Sequence, residues 1–157
     1  MQFYAIDIMT KDPITVSPQM TCEEVAETFI ENKISGAPVV DKEGNLVGVI
    51  SMIDVLMASE GFDSINLGYF EQGISDVLDT EGFQYDLVTV GFASDFMNTT
   101  VHSVLPNTPI EEVAKMMYDQ HIHRIIIVDE KTNKPVGIVS TFDLLKLISK
   151  QPEVAAK

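Results

Sequence analysis

The hydrophobic positions of this chain follow one pattern twice. In each half, apolar residues spaced three or four apart indicate an amphipathic helix, and two short apolar runs rich in β-branched residues indicate buried strands. A second, shorter helix then closes the half. The predicted elements lie at 22–30, 37–40, 47–50 and 53–57 in the first half, and at 110–117, 125–128, 136–139 and 142–148 in the second.

The two halves are copies of one unit. A shift of 88 residues superposes Met9 on Met97 and residues 23–26 on 111–114 (Glu-Glu-Val-Ala in both), and the register holds over about fifty residues. An extended stretch precedes each first helix, so each copy has the order β-α-β-β-α. We therefore predict a first repeat, an acidic helical connection, a second repeat and a flexible tail, at residues 1–57, 58–92, 93–150 and 151–157.

The connection is too long for a passive loop between packed repeats. Its apolar residues approximate a helical stripe, and residues 87–90 resemble a strand. The stripe consists of Ile65, Leu67, Phe70, Ile74, Val77 and Leu78. We interpret the connection as a helical insertion that packs on the repeats or serves in self-association.

Side chains that cap helices mark the helix starts. Thr21 with Glu24 matches the capping box, and Thr108 with Glu111 predicts a second one, with a proline between them at the first helical position. A Ser-x-x-Asp pattern opens the closing helix of each repeat. Its structural interpretation is a serine N-cap and an acid that complements the helix dipole.

The composition is strongly acidic, with 24 acidic and 10 basic residues and a net charge of −14. Such a chain repels the phosphates of nucleic acid and of anionic lipid, and no apolar run approaches the roughly 20 residues that span a bilayer. We expect neither nucleic acid nor membrane as a partner. The N-terminus does not resemble a secretion signal, and the lone Cys22 cannot form an internal disulfide, so we expect a cytoplasmic location.

The acidic residues are concentrated where basic ones are missing. No lysine or arginine occurs between Lys42 and Lys115. Two interpretations stay open for this interval. It is either a solvated acidic face that maintains solubility or a docking surface for a basic partner.

Five segments carry a resemblance to a known family. Residues 7–16 (DIMTKDPITV), 33–41 (KISGAPVVD) and 48–54 (GVISMID) resemble a cystathionine-β-synthase (CBS) domain, and so do 121–129 (HIHRIIIVD) and 137–143 (GIVSTFD). The resemblance implies an α/β (α+β) fold of two repeats packed about a pseudo-twofold axis. It also implies ligand clefts between the repeats for AMP, ADP, ATP or S-adenosylmethionine, a homodimer of such pairs, and an unknown regulated protein.

The resemblance places a main ligand cleft on the second repeat. There Asp143 would hold the ribose, Ser140 and the helix start would face phosphate, and His123 and Arg124 would contact phosphate. Ile14 and Ile34 would read and sandwich the adenine. The complete set for the main cleft is Ile14, Ile34, Ser35, Pro38, His123, Arg124, Ser140, Thr141 and Asp143.

A second, weaker cleft is expected at the equivalent place. Ser35 and Gly36 stand where the other copy has His123 and Arg124, which leaves only Lys33 as a nearby cation. The two clefts should therefore differ in affinity. The residues assigned to the weaker cleft are Lys33, Gly36, Ser51, Asp54, His102 and Ile122.

Other chemistry finds little support. The three histidines match no common zinc spacing, so we predict no metal site and no cofactor. Cys22 lies on a buried helical stripe and is interpreted as a core residue. The sequence contains neither a recognisable nucleophile–base pair nor a phosphate-binding loop, so we do not expect an enzyme. Because three phosphates need more positive charge than Arg124 and His123 supply, AMP or ADP is preferred over ATP. The predicted function is therefore a regulatory module that binds an adenine nucleotide. The alternative is an acidic interaction adaptor with degenerate ligand clefts.

Overall fold

A computed structural model of the protein describes residues 2–58 and 90–150. The predicted helical stripe of the connection, nearly all of the predicted strand at 87–90, and the predicted tail at 151–157 lie outside the described residues.

The described residues contain helices and strands at the eight places predicted for the two repeats, which confirms the mixed α/β class. By contrast, the extended stretch predicted before the first helix, at residues 14–16, contains only an isolated bridge at Val16. The first repeat has α1 (Ala5–Ile8), β1 (Thr10–Lys11), α2 (Cys22–Asn32), β2 (Gly36–Val40), β3 (Leu46–Ser51) and α3 (Met52–Met57). The second has α4 (Ala93–Phe96), β4 (Ser103–Val104), α5 (Ile110–Gln120), β5 (Arg124–Val128), β6 (Pro135–Ser140) and α6 (Thr141–Lys150).

Two compact units make up the described chain, and they do not coincide with the sequence repeats. The C-terminal unit consists of residues 2–13, 43–46 and 101–150, and the N-terminal unit consists of residues 14–42, 47–58 and 90–100. Apart from residues 43–46, each unit therefore combines the body of one repeat with the segment that leads into the other. We call residues 4–12 the first lead-in and residues 92–100 the second lead-in.

The C-terminal unit is built on a four-stranded sheet with the order β1-β6-β5-β4. Strand β1 of the first lead-in pairs antiparallel with β6, with Thr10 opposite Ile138. The Ala5 amide also donates to the Thr108 carbonyl at 2.9 Å, and Ala5 is fully buried. The core of this unit contains Ala5, Val104, Ile110, Val113, Met117, Ile125, Ile127 and Val139.

The N-terminal unit repeats this arrangement with shorter pairings. Strands β2 and β3 form a two-stranded sheet, which is extended by isolated bridges from Val16 to Val39 and from Val49 to Asn98. The Ala93 amide of the second lead-in donates to the Met20 carbonyl at 2.8 Å. The core contains Val16, Cys22, Val25, Ala26, Phe29, Ala37, Val39, Ile50, Met52, Val55, Ala58 and Ala93.

Helices α2 and α5, which correspond in the two repeats, begin differently, and one predicted cap is wrong. At α2 the capping box is confirmed, because Glu24 accepts from the Thr21 amide at 2.8 Å and Thr21 Oγ1 accepts from the Glu24 amide at 3.2 Å. At α5 the N-cap is Pro109, which has no side-chain acceptor. Thr108 lies one residue too early, and its hydroxyl accepts from the Leu105 amide at 3.2 Å instead.

Helices α2 and α5 both end on a residue in the left-handed backbone region. Lys33 ends α2 and His121 ends α5, each with a φ of 53°. Glycine favours this conformation, whereas a Cβ makes it costly. Replacing His121 by glycine should therefore raise the free energy of unfolding by about 0.5–1 kcal/mol. Chemical denaturation of this variant and of His121→Ala measures the effect. Alanine keeps the Cβ, so His121→Ala should give no gain in stability. Equal stabilisation by both variants would contradict the explanation by backbone strain.

Candidate half-site of the C-terminal unit

The Ser-x-x-Asp pattern caps the closing helix of each unit, as its structural interpretation predicted. At α6, Asp143 Oδ2 accepts from the Ser140 amide at 2.8 Å and from the Ser140 hydroxyl at 2.7 Å. At α3, Asp54 Oδ2 accepts the same pair of bonds from Ser51 at 2.7 and 2.6 Å. Each carboxylate is thus held in one orientation by two hydrogen bonds.

The capping bonds occupy one oxygen of Asp143. Within residues 2–58 and 90–150, Oδ1 of Asp143 accepts no hydrogen bond from the protein. A carboxylate that is fixed through one oxygen and open at the other suits the recognition of hydroxyl groups. Structural capping and ligand binding are therefore compatible roles for this residue.

The β5–β6 hairpin brings the other predicted residues of this unit to the same place. Arg124 lies opposite Ser140 in the antiparallel register. The amide and the hydroxyl of Thr141 donate to the His123 carbonyl at 2.9 and 3.2 Å. The five residues His123, Arg124, Ser140, Thr141 and Asp143 therefore adjoin one another at the start of α6, and we call this group the half-site.

The half-site contains a cation in a partly desolvated position. Arg124 is half-buried, and burial lowers the pKa of its guanidinium from the usual value. Arginine nevertheless stays protonated in proteins, so the group keeps its charge at neutral pH. A partly desolvated guanidinium interacts more strongly with an anion than one fully in water, because the local dielectric is lower.

The N-terminal unit has the same backbone arrangement with different side chains. The Met52 amide donates to the Ser35 carbonyl at 2.9 Å, as Thr141 does to His123. Gly36 begins the strand that corresponds to the one begun by Arg124. Lys33, the predicted nearby cation, is exposed at the end of α2.

The remaining predicted residues are divided between the units. Ile34 packs against the core of the N-terminal unit, and Pro38 is fully buried in β2, where its carbonyl accepts from the Val16 amide at 3.0 Å. Ile122 packs against the core of the C-terminal unit, and the His102 carbonyl accepts from the Ile126 amide at 3.4 Å. The assignment of Ile14, Ile34, Ser35 and Pro38 to the same ligand as Asp143 stays a prediction.

A cleft beside the half-site contains two charged residues that the sequence interpretation missed. It has a volume of about 260 Å³ and lies within the C-terminal unit. Its lining is Phe3, Asp7, Ile8, Asp143, Lys146 and Leu147. Lys146 follows Asp143 by three residues, a spacing that places two side chains on one helix face, so its position was predictable. Asp7 comes from the first lead-in, and no sequence signal linked it to α6.

The structure also bears on Cys22, on metal ligands and on membrane-spanning helices. Cys22 is fully buried in the core of the N-terminal unit, and burial, followed by the charge of Asp95, raises the pKa of its thiol. This confirms its interpretation as a core residue. Among residues 2–58 and 90–150, no three His, Cys, Asp or Glu side chains are grouped as metal ligands. No helix in that part of the chain is long and apolar enough to cross a membrane.

The chain is similar in sequence to a known protein. The chain is 35% identical over 148 residues to the uncharacterised protein MJ1232 of Methanocaldococcus jannaschii, covering 94% of this chain and 40% of that protein. The chain thus spans less than half the length of this relative.

Solved structures show the same fold. The CBS domain pair of protein MJ0100, in complex with 5′-methylthioadenosine and S-adenosyl-L-methionine, superposes with a TM-score of 0.70 at 23% identity, covering 95% of this chain and 98% of that one. CBSX2 of Arabidopsis thaliana in complex with AMP superposes with a TM-score of 0.69 at 23% identity, covering 94% and 96%. The CBS domain profile matches residues 5–61 and 93–150. With two matches that together cover more than half of its length, this chain belongs to the CBS domain family.

Proposed function

We propose that the protein is a regulatory module that binds an adenosine-containing ligand at the half-site and passes its occupancy to a protein partner. The observation that carries the proposal is the half-site itself. Asp143 is oriented by its cap with one oxygen open, Arg124 lies opposite Ser140 in the β5–β6 register, and the His123 carbonyl accepts from Thr141 at the same helix start. Ribose hydroxyls and a phosphate need this pairing of an acceptor with a cation.

The family relationship supports the same ligand class. MJ0100 is described with 5′-methylthioadenosine and S-adenosyl-L-methionine, and CBSX2 with AMP. Adenosine is common to all three ligands. We therefore propose that Asp143 accepts hydrogen bonds from the ribose hydroxyls, while Ile14 and Ile34 contribute to adenine recognition.

Charge determines the order among nucleotides. The guanidinium of Arg124 would balance the charge of the one or two phosphates of AMP or ADP more completely than that of the three of ATP. A net charge of −14 adds to the repulsion of a triphosphate. We therefore propose AMP or ADP before ATP, and tighter binding at the half-site than at the equivalent place in the N-terminal unit.

Titration calorimetry with AMP, ADP and ATP tests this order on the wild-type chain and two variants. Arg124→Ala should weaken AMP binding about tenfold or more, because a charge-assisted hydrogen bond contributes about 1.5–3 kcal/mol. Arg124→Lys should show a smaller loss, since it keeps the charge but not the two-pronged geometry. Two equal sites, or unchanged affinity in Arg124→Ala, would contradict the proposed asymmetry. If no adenosine ligand binds, the acidic adaptor becomes the better hypothesis.

The regulatory part of the proposal requires a response to the ligand. A ligand shifts a conformational equilibrium only by its difference in affinity for the two states. We propose a homodimer of such pairs whose arrangement changes with occupancy and so alters an unidentified partner. Analytical ultracentrifugation with and without AMP measures the oligomeric state, and a monomer under both conditions would refute the dimer.

A further inference from the structure

The cleft lined by Asp7, Asp143 and Lys146 contains charges of both signs that do not neutralise one another. Among residues 2–58 and 90–150, Lys146 forms no ion pair with Asp7 or Asp143 within 4.0 Å. Side chains of opposite charge on one cleft, yet unpaired, can each bind a different group of one ligand.

Both carboxylates in this cleft are oriented by the backbone. Asp7 Oδ2 accepts from the Tyr4 amide at 2.8 Å, and Asp143 Oδ2 accepts from the Ser140 amide at the same distance. Within the described chain, the second oxygen of each accepts no hydrogen bond from the protein. Two preoriented acceptors and one ammonium group therefore line a space whose other walls are apolar, formed by Phe3, Ile8 and Leu147.

We infer that this cleft is a subsite for a zwitterionic amino-acid group attached to the adenosyl ligand. Asp143 would hold the ribose, Asp7 would accept from the α-ammonium group, and Lys146 would donate to the α-carboxylate. The inference rests on the proposed function, because it assumes an adenosyl ligand on Asp143. A further phosphate suits the cleft poorly, because two carboxylates outweigh one ammonium group.

The equivalent positions of the N-terminal unit lack this combination. Under the repeat alignment, Asp95 and Asp54 correspond to Asp7 and Asp143, but Met57 replaces Lys146 and Gly91 replaces Phe3. Asp95 accepts from the Phe92 amide at 2.9 Å, just as Asp7 accepts from Tyr4. The two acids thus recur as helix caps, whereas the lysine occurs in the C-terminal unit alone within the described chain, and the aromatic residue of the equivalent place is Phe96, which corresponds to Ile8.

The test compares two ligands that differ only in the amino-acid portion. S-Adenosylhomocysteine carries it, and 5′-methylthioadenosine has a methyl group in its place. In the wild-type chain, calorimetry should give at least about tenfold tighter binding of S-adenosylhomocysteine, since each end of the zwitterion forms a charge-assisted hydrogen bond. This ratio should fall to about threefold or less in Asp7→Asn and in Lys146→Gln.

Matched controls separate this effect from general charge and from folding. Asp7→Asn keeps an oxygen that can cap α1, so the fold is preserved. Asp95→Asn alters the corresponding cap in the other unit, and Lys115→Gln removes a surface cation of α5; both should keep the wild-type ratio. Equal affinities for the two ligands in the wild type, or an unchanged ratio in Asp7→Asn and Lys146→Gln, would overturn the subsite. In that case, binding of 5′-methylthioadenosine and AMP would still support the proposed function. Absence of all adenosine binding would overturn both.

Discussion

Replacing Asp143 by alanine is expected to weaken binding of AMP or another adenosine ligand by at least about tenfold and to lower the free energy of unfolding by about 1–2 kcal/mol. The affinity decreases because the ribose hydroxyls lose a charged acceptor. The stability decreases because α6 loses the partner of the Ser140 amide and hydroxyl, at 2.8 and 2.7 Å. A single variant therefore reports on both roles of the carboxylate.

Asp54→Ala is the matched control, because it removes the same cap from the other unit. Asp54 accepts from the Ser51 amide and hydroxyl at 2.7 and 2.6 Å, so its loss of stability should be similar. Asp54→Ala should reduce the affinity of the weaker binding site alone, the one in the N-terminal unit. Calorimetry fitted to two sites, with urea denaturation on the same samples, distinguishes the roles. If both variants weaken the tighter event equally, the assignment of that event to the half-site is wrong.

Replacing Gly137 by alanine is expected to detach the first lead-in from the C-terminal unit and to lower the free energy of unfolding by about 2–3 kcal/mol. Gly137 lies in β6 opposite Lys11, directly beneath the Met9 side chain. A Cβ at this position would lie 2.9 Å from Met9 Cγ and 3.2 Å from Met9 Cβ. Because these atoms are close to the Met9 backbone, rotation of the thioether alone cannot relieve the overlap.

Hydrogen–deuterium exchange locates this effect, since protection of amides in residues 9–12 should fall more than protection in β5. The double variant Met9→Ala with Gly137→Ala should recover part of the lost stability, because the shortened side chain makes room for the new methyl group. Gly48→Ala is the counterpart in the N-terminal unit, where the closest atom is Met97 Sδ at 2.8 Å. It should cost less, about 1–2 kcal/mol, because the closest atom is the end of a flexible side chain that can move, although the Asn98 carbonyl oxygen at 3.2 Å is fixed by the backbone. Additive losses in the double variant would show that the Met9 contact is not the cause.

The repeat, the helices and the strands were predictable because each follows from the order of apolar and polar residues within a short stretch of the chain. The helical stripe at 22–30 and the apolar runs at 37–40 and 125–128 each have the period and length of the element that the structure contains. Ser140 with Asp143 was predicted as a cap for the same reason, since the two residues are three apart. Thr108 was misassigned because Pro109 and its neighbours allow two registers, and pairing of Ala5 with Thr108 favours the later one.

The residues of the half-site were predictable, whereas Asp7 of the adjoining cleft was not. The family resemblance assigned Arg124, Ser140 and Asp143, which the β5–β6 register brings together. Asp7 was not assigned, because it is more than a hundred residues from α6 in the chain. Lys146 was overlooked although its spacing from Asp143 places it on the same helix face.

The amino-acid sequence by itself determined the duplication, the order of helices and strands, and the difference in charge between Ser35–Gly36 and His123–Arg124. Tertiary structure alone decided which lead-in belongs to which repeat body. Residues 4–12 pack with the second repeat and residues 92–100 with the first. The reason is physical: Met9 and Met97 occupy the space above Gly137 and Gly48, and two equivalent glycines cannot specify from sequence alone which methionine each one accommodates.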